Sequence, residues 1–96
     1  MKLYIVTYNS IINGEQNRGV LNKCFRTKEA AKDAMNNVYE YWLAGAEKYI
    51  NSGHIVKHYE DDFFLIYNLF KPEGFTVDCT IYETELTDED NNPYKG

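Results

Sequence analysis

Residues 27–53 read TKEAAKDAMNNVYEYWLAGAEKYINSG, and this stretch decides the fold. It predicts one long amphipathic helix, with Thr27 as its N-cap and Gly53 as the residue that closes its C-terminus. At about 100° per residue, small and apolar side chains share one stripe, which we expect to pack on a sheet. The stripe comprises Ala31, Ala34, Met35, Val38, Trp42, Gly45 and Tyr49. Roughly 25 residues at about 1.5 Å each make a rod that crosses a small sheet.

The opposite side of the predicted helix carries an acidic seam of Glu29, Asp33, Glu40 and Glu47. This seam is either an ordinary solvated face or a ladder of carboxylates offered to a basic partner. Gly45 interrupts the helix at a cost of about 1 kcal/mol relative to alanine. We therefore expect Gly45 to mark a close approach of another backbone or a bend in the helix.

Apolar patterning predicts five strands around this helix. Residues 2–12 form the first strand, and Asn13-Gly14 is a strong signal for a two-residue type I′ turn. The turn leads into a second strand over residues 15–26, in which Gly19 is a candidate bulge. The polar run at residues 15–18 also fits a loop, so residues 9–19 form either a hairpin or a loop. Val20, Leu21 and Phe25 are candidates for burial in that strand. The remaining strands are predicted at residues 54–59, 63–70 and 75–86, with Phe75, Val77, Cys79 and Ile81 pointing inward in the last.

These elements predict an α+β fold in the order β-β-α-β-β-β. Residues 1–86 are expected to form a single domain, an antiparallel sheet of about five strands with one long helix packed across one face. Residues 87–96 are polar and acidic, and we expect them to form a disordered tail. The layout resembles the cystatin-like arrangement in outline. The Gln-x-Val-x-Gly loop of cystatins is absent, so the resemblance implies a shape and not protease inhibition.

The charge of the chain is distributed unevenly. The net charge is −5, but residues 1–59 carry +3 and residues 60–96 carry −8. No cluster of lysine or arginine is available to displace counterions from phosphates, so the composition disfavours direct binding to nucleic acid. A basic protein surface is the more natural partner.

The sequence predicts a location in the cytoplasm of the cell that makes the protein. No apolar run approaches the roughly 20 residues that span a bilayer, and the N-terminal residues lack a signal-peptide pattern, so we expect no membrane association. Cys24 and Cys79 are then reduced thiols, and each lies in an apolar strand pattern typical of a small core residue.

No catalytic, cofactor or metal motif is evident. His54 and His58 would lie about 13 Å apart along a strand, too far to share one metal ion. Asp61 and Asp62 fall in a predicted turn, where solvated aspartates keep ordinary pKa values. We therefore predict that the protein is not an enzyme and needs no cofactor.

Carboxylates and tyrosines are the remaining candidates for function. Acidic residues on an exposed last strand either discourage edge pairing or form an anionic surface with the preceding turn. Nine tyrosines exceed the needs of one small core, and exposed tyrosine beside carboxylates suits protein recognition. The predicted partner-binding residues are Glu60, Asp61, Asp62, Asp78, Tyr82, Glu83, Glu85, Glu29, Asp33, Glu40 and Glu47.

Two stretches carry a resemblance to known proteins. KLYIVTY at residues 2–8 and FRTKEAA at residues 25–31 resemble patterns common in small proteins of phages and mobile elements. Many of these proteins are small, acidic, tyrosine-rich inhibitors of host defence, including anti-CRISPR proteins. The resemblance implies this class and assigns no functional residue.

The leading hypothesis is a non-catalytic inhibitor that occludes a basic, nucleic-acid-binding surface of a host defence protein, such as a CRISPR effector. One alternative is a structural or assembly protein whose aromatic face closes a homodimer. Another is an immunity or antitoxin protein for a basic nuclease, which would use the same electrostatics. A small enzyme with a carboxylate pair is the fourth.

Overall fold

A computed structural model describes residues 2–21, 24–71 and 74–85. Its elements are β1 (Lys2–Ile12), β2 (Glu15–Val20), α1 (Lys28–Tyr49), a short 3-10 turn (Ser52–His54), β3 (Ile55–Tyr59), β4 (Phe63–Asn68) and β5 (Phe75–Glu85). The predicted α+β class and the order β-β-α-β-β-β are confirmed. The predicted acidic tail at residues 87–96 lies outside the described residues.

All five strands form one antiparallel sheet in the order β2-β1-β5-β4-β3. The two 11-residue strands, β1 and β5, pair along their whole length, from Lys2 opposite Glu85 to Ile12 opposite Phe75. The last described strand, β5, is therefore the centre of the sheet. β4 stops at Asn68, so its predicted extension to residue 70 is wrong.

The β1–β2 hairpin closes as its sequence predicts. Asn13 and Gly14 have φ values of 52° and 86°, the positive pair that a type I′ turn needs. The second strand is shorter than predicted: it ends at Val20, and among the described residues that follow, Leu21 donates one hydrogen bond to the Val6 carbonyl and an isolated bridge joins Phe25 to Tyr4. Val20 is 54% exposed, so its predicted burial is wrong.

Gly19 is not a bulge. The β1–β2 register runs unbroken past it, with Gly19 directly opposite Tyr8. A Cβ atom at Gly19 would lie 2.8 Å from Tyr8 Oη and 3.1 Å from Cζ. The glycine thus leaves room for the ring of its cross-strand neighbour.

Helix α1 begins as predicted, with the Thr27 hydroxyl accepting a 3.1 Å hydrogen bond from the Ala30 N–H. Its C-terminus lies at Tyr49, so the predicted closure at Gly53 is wrong. The reason is local: Ile50 adopts an extended conformation, and the Asn51 side chain accepts from the Gly53 N–H at 3.0 Å to start the 3-10 turn. No helix in the described part of the chain is both long and apolar enough to cross a membrane.

The core lies between α1 and one face of the sheet. Its fully or nearly fully buried members are Val6, Ala31, Met35, Phe64, Ile66, Val77, Cys79 and Ile81. The predicted inward pattern of β5 is confirmed, and burial raises the pKa of the Cys79 thiol to about 12. Cys24 is exposed, so its predicted place in the core is wrong.

The other face of the sheet has no second layer in the described structure. Side chains alternate along a strand, so residues between the core positions of β1, β4 and β5 point away from α1. We call this surface the open sheet face. It includes Leu3, Ile5, Ile11, Phe63, Leu65, Asp78 and Tyr82. Most of its apolar side chains are half-buried by their neighbours, while Tyr82 is exposed.

Candidate functional site

The outer side of α1 carries the predicted acidic seam. Glu29, Asp33, Glu40 and Glu47 are all exposed, and they lie opposite the buried side of the helix at Ala31 and Met35. Glu29 and Glu47 are 18 positions apart, which corresponds to about 27 Å of helix. We call these four residues the acidic helix face.

The charges of the acidic helix face are uncompensated within residues 2–21, 24–71 and 74–85. No lysine or arginine of those ranges lies within 4.0 Å of any of the four carboxylates. Glu40 accepts only a long hydrogen bond from the Asn36 side-chain amide, at 3.4 Å. The helix therefore presents four full negative charges along one line.

The β3–β4 turn contains Glu60, Asp61 and Asp62, and its charge is partly compensated. The Asp61 carboxylate accepts charged hydrogen bonds, which are also ion pairs, from Lys32 and from Lys28, the latter at 2.9 Å. These two hydrogen bonds lower the pKa of Asp61 to about 2, so the prediction of an ordinary pKa is wrong for this residue. Glu60 and Asp62 form no ion pair with another described residue.

The Lys28–Asp61–Lys32 cluster joins the first turns of α1 to the sheet. The turn itself is fixed to β5, because the Ile81 N–H donates to the Asp62 carbonyl at 2.8 Å. The start of the acidic helix face, the β3–β4 turn and the end of β5 thus lie at one end of the molecule.

The last strand divides its predicted site residues between two faces. Glu83 and Glu85 lie on the helix side of the sheet, beyond the core, and Glu83 is 3.9 Å from Lys2. Asp78 and Tyr82 lie on the open sheet face. Asp78 accepts from the Asn9 amide at 3.4 Å and borders an open depression that also contains Arg18 and Tyr82. The predicted residues therefore do not form one continuous surface.

The tyrosines of the described residues include both packed and exposed rings. Tyr39 packs in the core region against Phe64 and Tyr59, with ring centroids 5.2 and 4.7 Å apart. Tyr41 and Tyr49 are 72% and 88% exposed at the C-terminal half of α1. Tyr41 and Tyr49 are remote from the carboxylates of the β3–β4 turn, whereas Tyr59 and Tyr82, which are 42% and 55% exposed, lie beside that turn.

Sequence reasoning missed a cleft between the C-terminal half of α1 and the adjacent end of the sheet. Its volume is about 740 Å³, and we call it the helix–sheet cleft. Gly45 faces it: a Cβ atom there would meet nothing within 4 Å, so the predicted close approach at Gly45 is wrong. The sequence did contain a signal for this cleft, because Gly45 lies on the same helical stripe as two large aromatic residues, Trp42 and Tyr49.

The described side chains contain no group of three histidine, cysteine or carboxylate residues that could hold a metal ion. Comparisons of the chain with protein-family models, with curated proteins and with solved structures found no match. The charges and shapes of these surfaces are therefore the basis for inferring function.

Proposed function

We propose that the protein is a non-catalytic inhibitor of a host nucleic-acid-binding defence protein, of the anti-CRISPR kind, acting in the cytoplasm of the host cell. It binds through the acidic helix face to a basic surface of that protein and occludes it. The observation that carries the proposal is the line of four exposed carboxylates with no lysine or arginine partner in the described structure.

The dimensions of the acidic helix face suit competition with nucleic acid. A nucleic-acid-binding surface holds cations that neutralise successive phosphates, which rise about 3.4 Å apart along each strand. About 27 Å of helix covers the axial length of roughly eight such phosphates. Four carboxylates supply about half the charge of that length of one nucleic-acid strand. The helix is already folded, so binding does not require the free-energy cost of ordering it.

The ion pairs at the N-terminal end of α1 support this role. Lys28 and Lys32 both form ion pairs with Asp61 on the sheet side of α1. The two cations nearest the start of the acidic helix face therefore do not pair with its carboxylates. Glu60 and Asp62 extend the negative surface at the same end. A partner lying against α1 does not reach Asp78 and Tyr82, because these residues are on the open sheet face.

The test measures DNA binding by purified CRISPR effector–guide RNA complexes of several types, with and without this protein. The informative variant combines Glu40→Gln and Glu47→Gln. Glu29 is left intact because a carboxylate in the first turn also stabilises the helix dipole. The matched control, Glu15→Gln with Asp78→Asn, removes the same charge away from the acidic helix face.

We expect the wild type and the control to reduce DNA binding by at least one effector. The Glu40/Glu47 variant should inhibit DNA binding at least about tenfold more weakly than the wild type, because close charge pairs across an interface are strongly coupled. Equal inhibition by both variants would contradict the role of the acidic helix face. Absence of inhibition of every effector, with inhibition of a basic nuclease instead, would favour the immunity-protein alternative.

The open sheet face favours a second candidate, a homodimeric structural or assembly protein. Ile5, Phe63 and Leu65 lie on this face without a covering layer in the described structure. Large contiguous apolar patches are uncommon on monomers, and a two-fold dimer buries the same patch of both copies. Analytical ultracentrifugation tests this candidate: a stable dimer that Leu65→Asp dissociates supports it, and a monomer at high concentration removes it.

A further inference from the structure

The helix–sheet cleft is an apolar space with aromatic walls. α1 contributes Trp42, and the sheet contributes Ile12 and Phe75 from the paired ends of β1 and β5. The rings of Trp42 and Phe75 meet edge to face, with centroids 6.3 Å apart. Gly45 leaves the helix side open. A volume of about 740 Å³ lies within the usual range of small-molecule sites, roughly 300–1,000 Å³.

The described charged residues that line the cleft are positive, whereas the chain as a whole is acidic. Lys48 in the last turn of α1 and Lys71 in the β4–β5 connection line it, and no carboxylate does among the described residues. Neither lysine forms an ion pair with a described carboxylate. In a chain with 15 acidic and 10 basic residues, a cleft whose described charged side chains are two lysines favours a negatively charged ligand.

We propose that the helix–sheet cleft binds a small amphipathic carboxylate, such as a medium-chain fatty acid anion. The hydrocarbon part lies against Trp42 and Phe75, where each methylene removed from water favours binding. The carboxylate faces Lys48 and Lys71 at the polar side of the cleft. This site is separate from the acidic helix face and does not depend on the proposed function.

The chain contains its own reporter of occupancy. Trp42 is its single tryptophan, so its fluorescence emission responds directly to a ligand in the cleft. The probes are octanoate, octanol and octylammonium, which share a chain length and differ in charge. We expect octanoate to shift the emission and to bind roughly five- to tenfold more tightly than octanol, because two exposed lysines each add a modest ionic contribution. Octylammonium should bind most weakly.

Two variants locate the binding. Gly45→Leu places a side chain in open space and improves helix propensity, so it should fill the cleft and abolish octanoate binding while the fold is kept. Asn37→Leu makes a similar change on an exposed position of the same helix and should bind octanoate normally. Circular dichroism melting of both variants checks that they are folded.

The charge preference is tested separately. Lys48→Gln with Lys71→Gln should remove the advantage of octanoate over octanol, whereas Lys2→Gln with Lys57→Gln should preserve it. Isothermal titration calorimetry provides a second readout that does not depend on Trp42. The proposal is overturned by the absence of both an emission shift and binding heat with octanoate, by undiminished binding to folded Gly45→Leu, or by octylammonium binding as tightly as octanoate.

Discussion

Lys28 Nζ lies 2.9 Å from the Asp61 carboxylate, so the first turn of the helix is joined to a turn 33 residues later in the chain. Lys32, one helical turn further on, contacts the other carboxylate oxygen. The two lysines are adjacent on the helix surface, as residues four apart are. This arrangement positions the N-terminal end of α1 over the sheet and leaves Glu29 and Asp33 directed to solvent.

The stability of the protein should fall in acid through Asp61. Its pKa in the folded protein is lowered to about 2 from an ordinary value of 3.8. A carboxyl group with a lowered folded-state pKa stabilises the fold above its unfolded-state pKa, and this contribution disappears as the pH falls from about 4 to about 2. Urea unfolding at pH 7 and pH 2 measures the change.

The matched variants for this experiment are Asp61→Asn and Asp62→Asn. Asp61→Asn should destabilise the protein at pH 7 and reduce the loss between the two pH values, since its side chain does not titrate. Asp62→Asn removes a neighbouring carboxylate that has no described ion pair, so it should retain most of the acid sensitivity. Equal pH dependence in wild type and Asp61→Asn would contradict the assigned role.

Gly19→Ala should destabilise the β1–β2 hairpin by about 1–3 kcal/mol, the usual cost of overpacking. The new methyl group would lie 2.8 Å from Tyr8 Oη and 3.3 Å from Cε1, so the ring must move as a unit. Chemical denaturation measures the free energy of unfolding. In a Tyr8→Ala background the same substitution should cost much less, and a full cost in that background would exclude a clash with Tyr8.

The two ends of α1 show which parts of the fold could be predicted from the sequence and which could not. Its start was predictable because the capping interaction is local: the Thr27 hydroxyl accepts a hydrogen bond from the N–H of Ala30, three residues along the chain. Its end combines a local cap, the Asn51 side chain on the Gly53 N–H, with a contact that is distant in sequence, the 2.7 Å hydrogen bond from the Leu69 N–H to the His54 carbonyl. That second bond joins the chain after the helix to the end of β4, and the residues around Gly53 do not reveal it.

The candidate site also has one part that the sequence predicts and another that it does not. The spacing of Glu29, Asp33, Glu40 and Glu47 places them on one face of any helix, so the acidic helix face was predictable from periodicity. The neutralisation of Asp61 was not, because Lys32 is 29 residues away in the chain. Asp78 and Glu83 lie on opposite faces because they are five positions, an odd number, apart along one strand.

Gly45→Ala should stabilise the protein by about 1 kcal/mol, the difference in helix propensity between the two residues. The new methyl group meets no atom within 4 Å, so no steric cost opposes the gain. Thermal and urea unfolding measure the change. A loss of stability would show that the backbone at Gly45 needs the freedom of glycine, contrary to its position inside a regular helix.

Inhibition by the acidic helix face should weaken with salt. Raising NaCl from about 50 to 300 mM shortens the screening length, and we expect the apparent affinity for a basic effector surface to fall about tenfold or more. Lysine substitutions at Glu60 and Asp62 should weaken it further. Asp61→Lys is omitted, because it would place a third cation beside Lys28 and Lys32 and destabilise the fold itself. Titration of DNA binding by the effector at several salt concentrations measures both effects, and an affinity unchanged by salt would contradict an electrostatic interface.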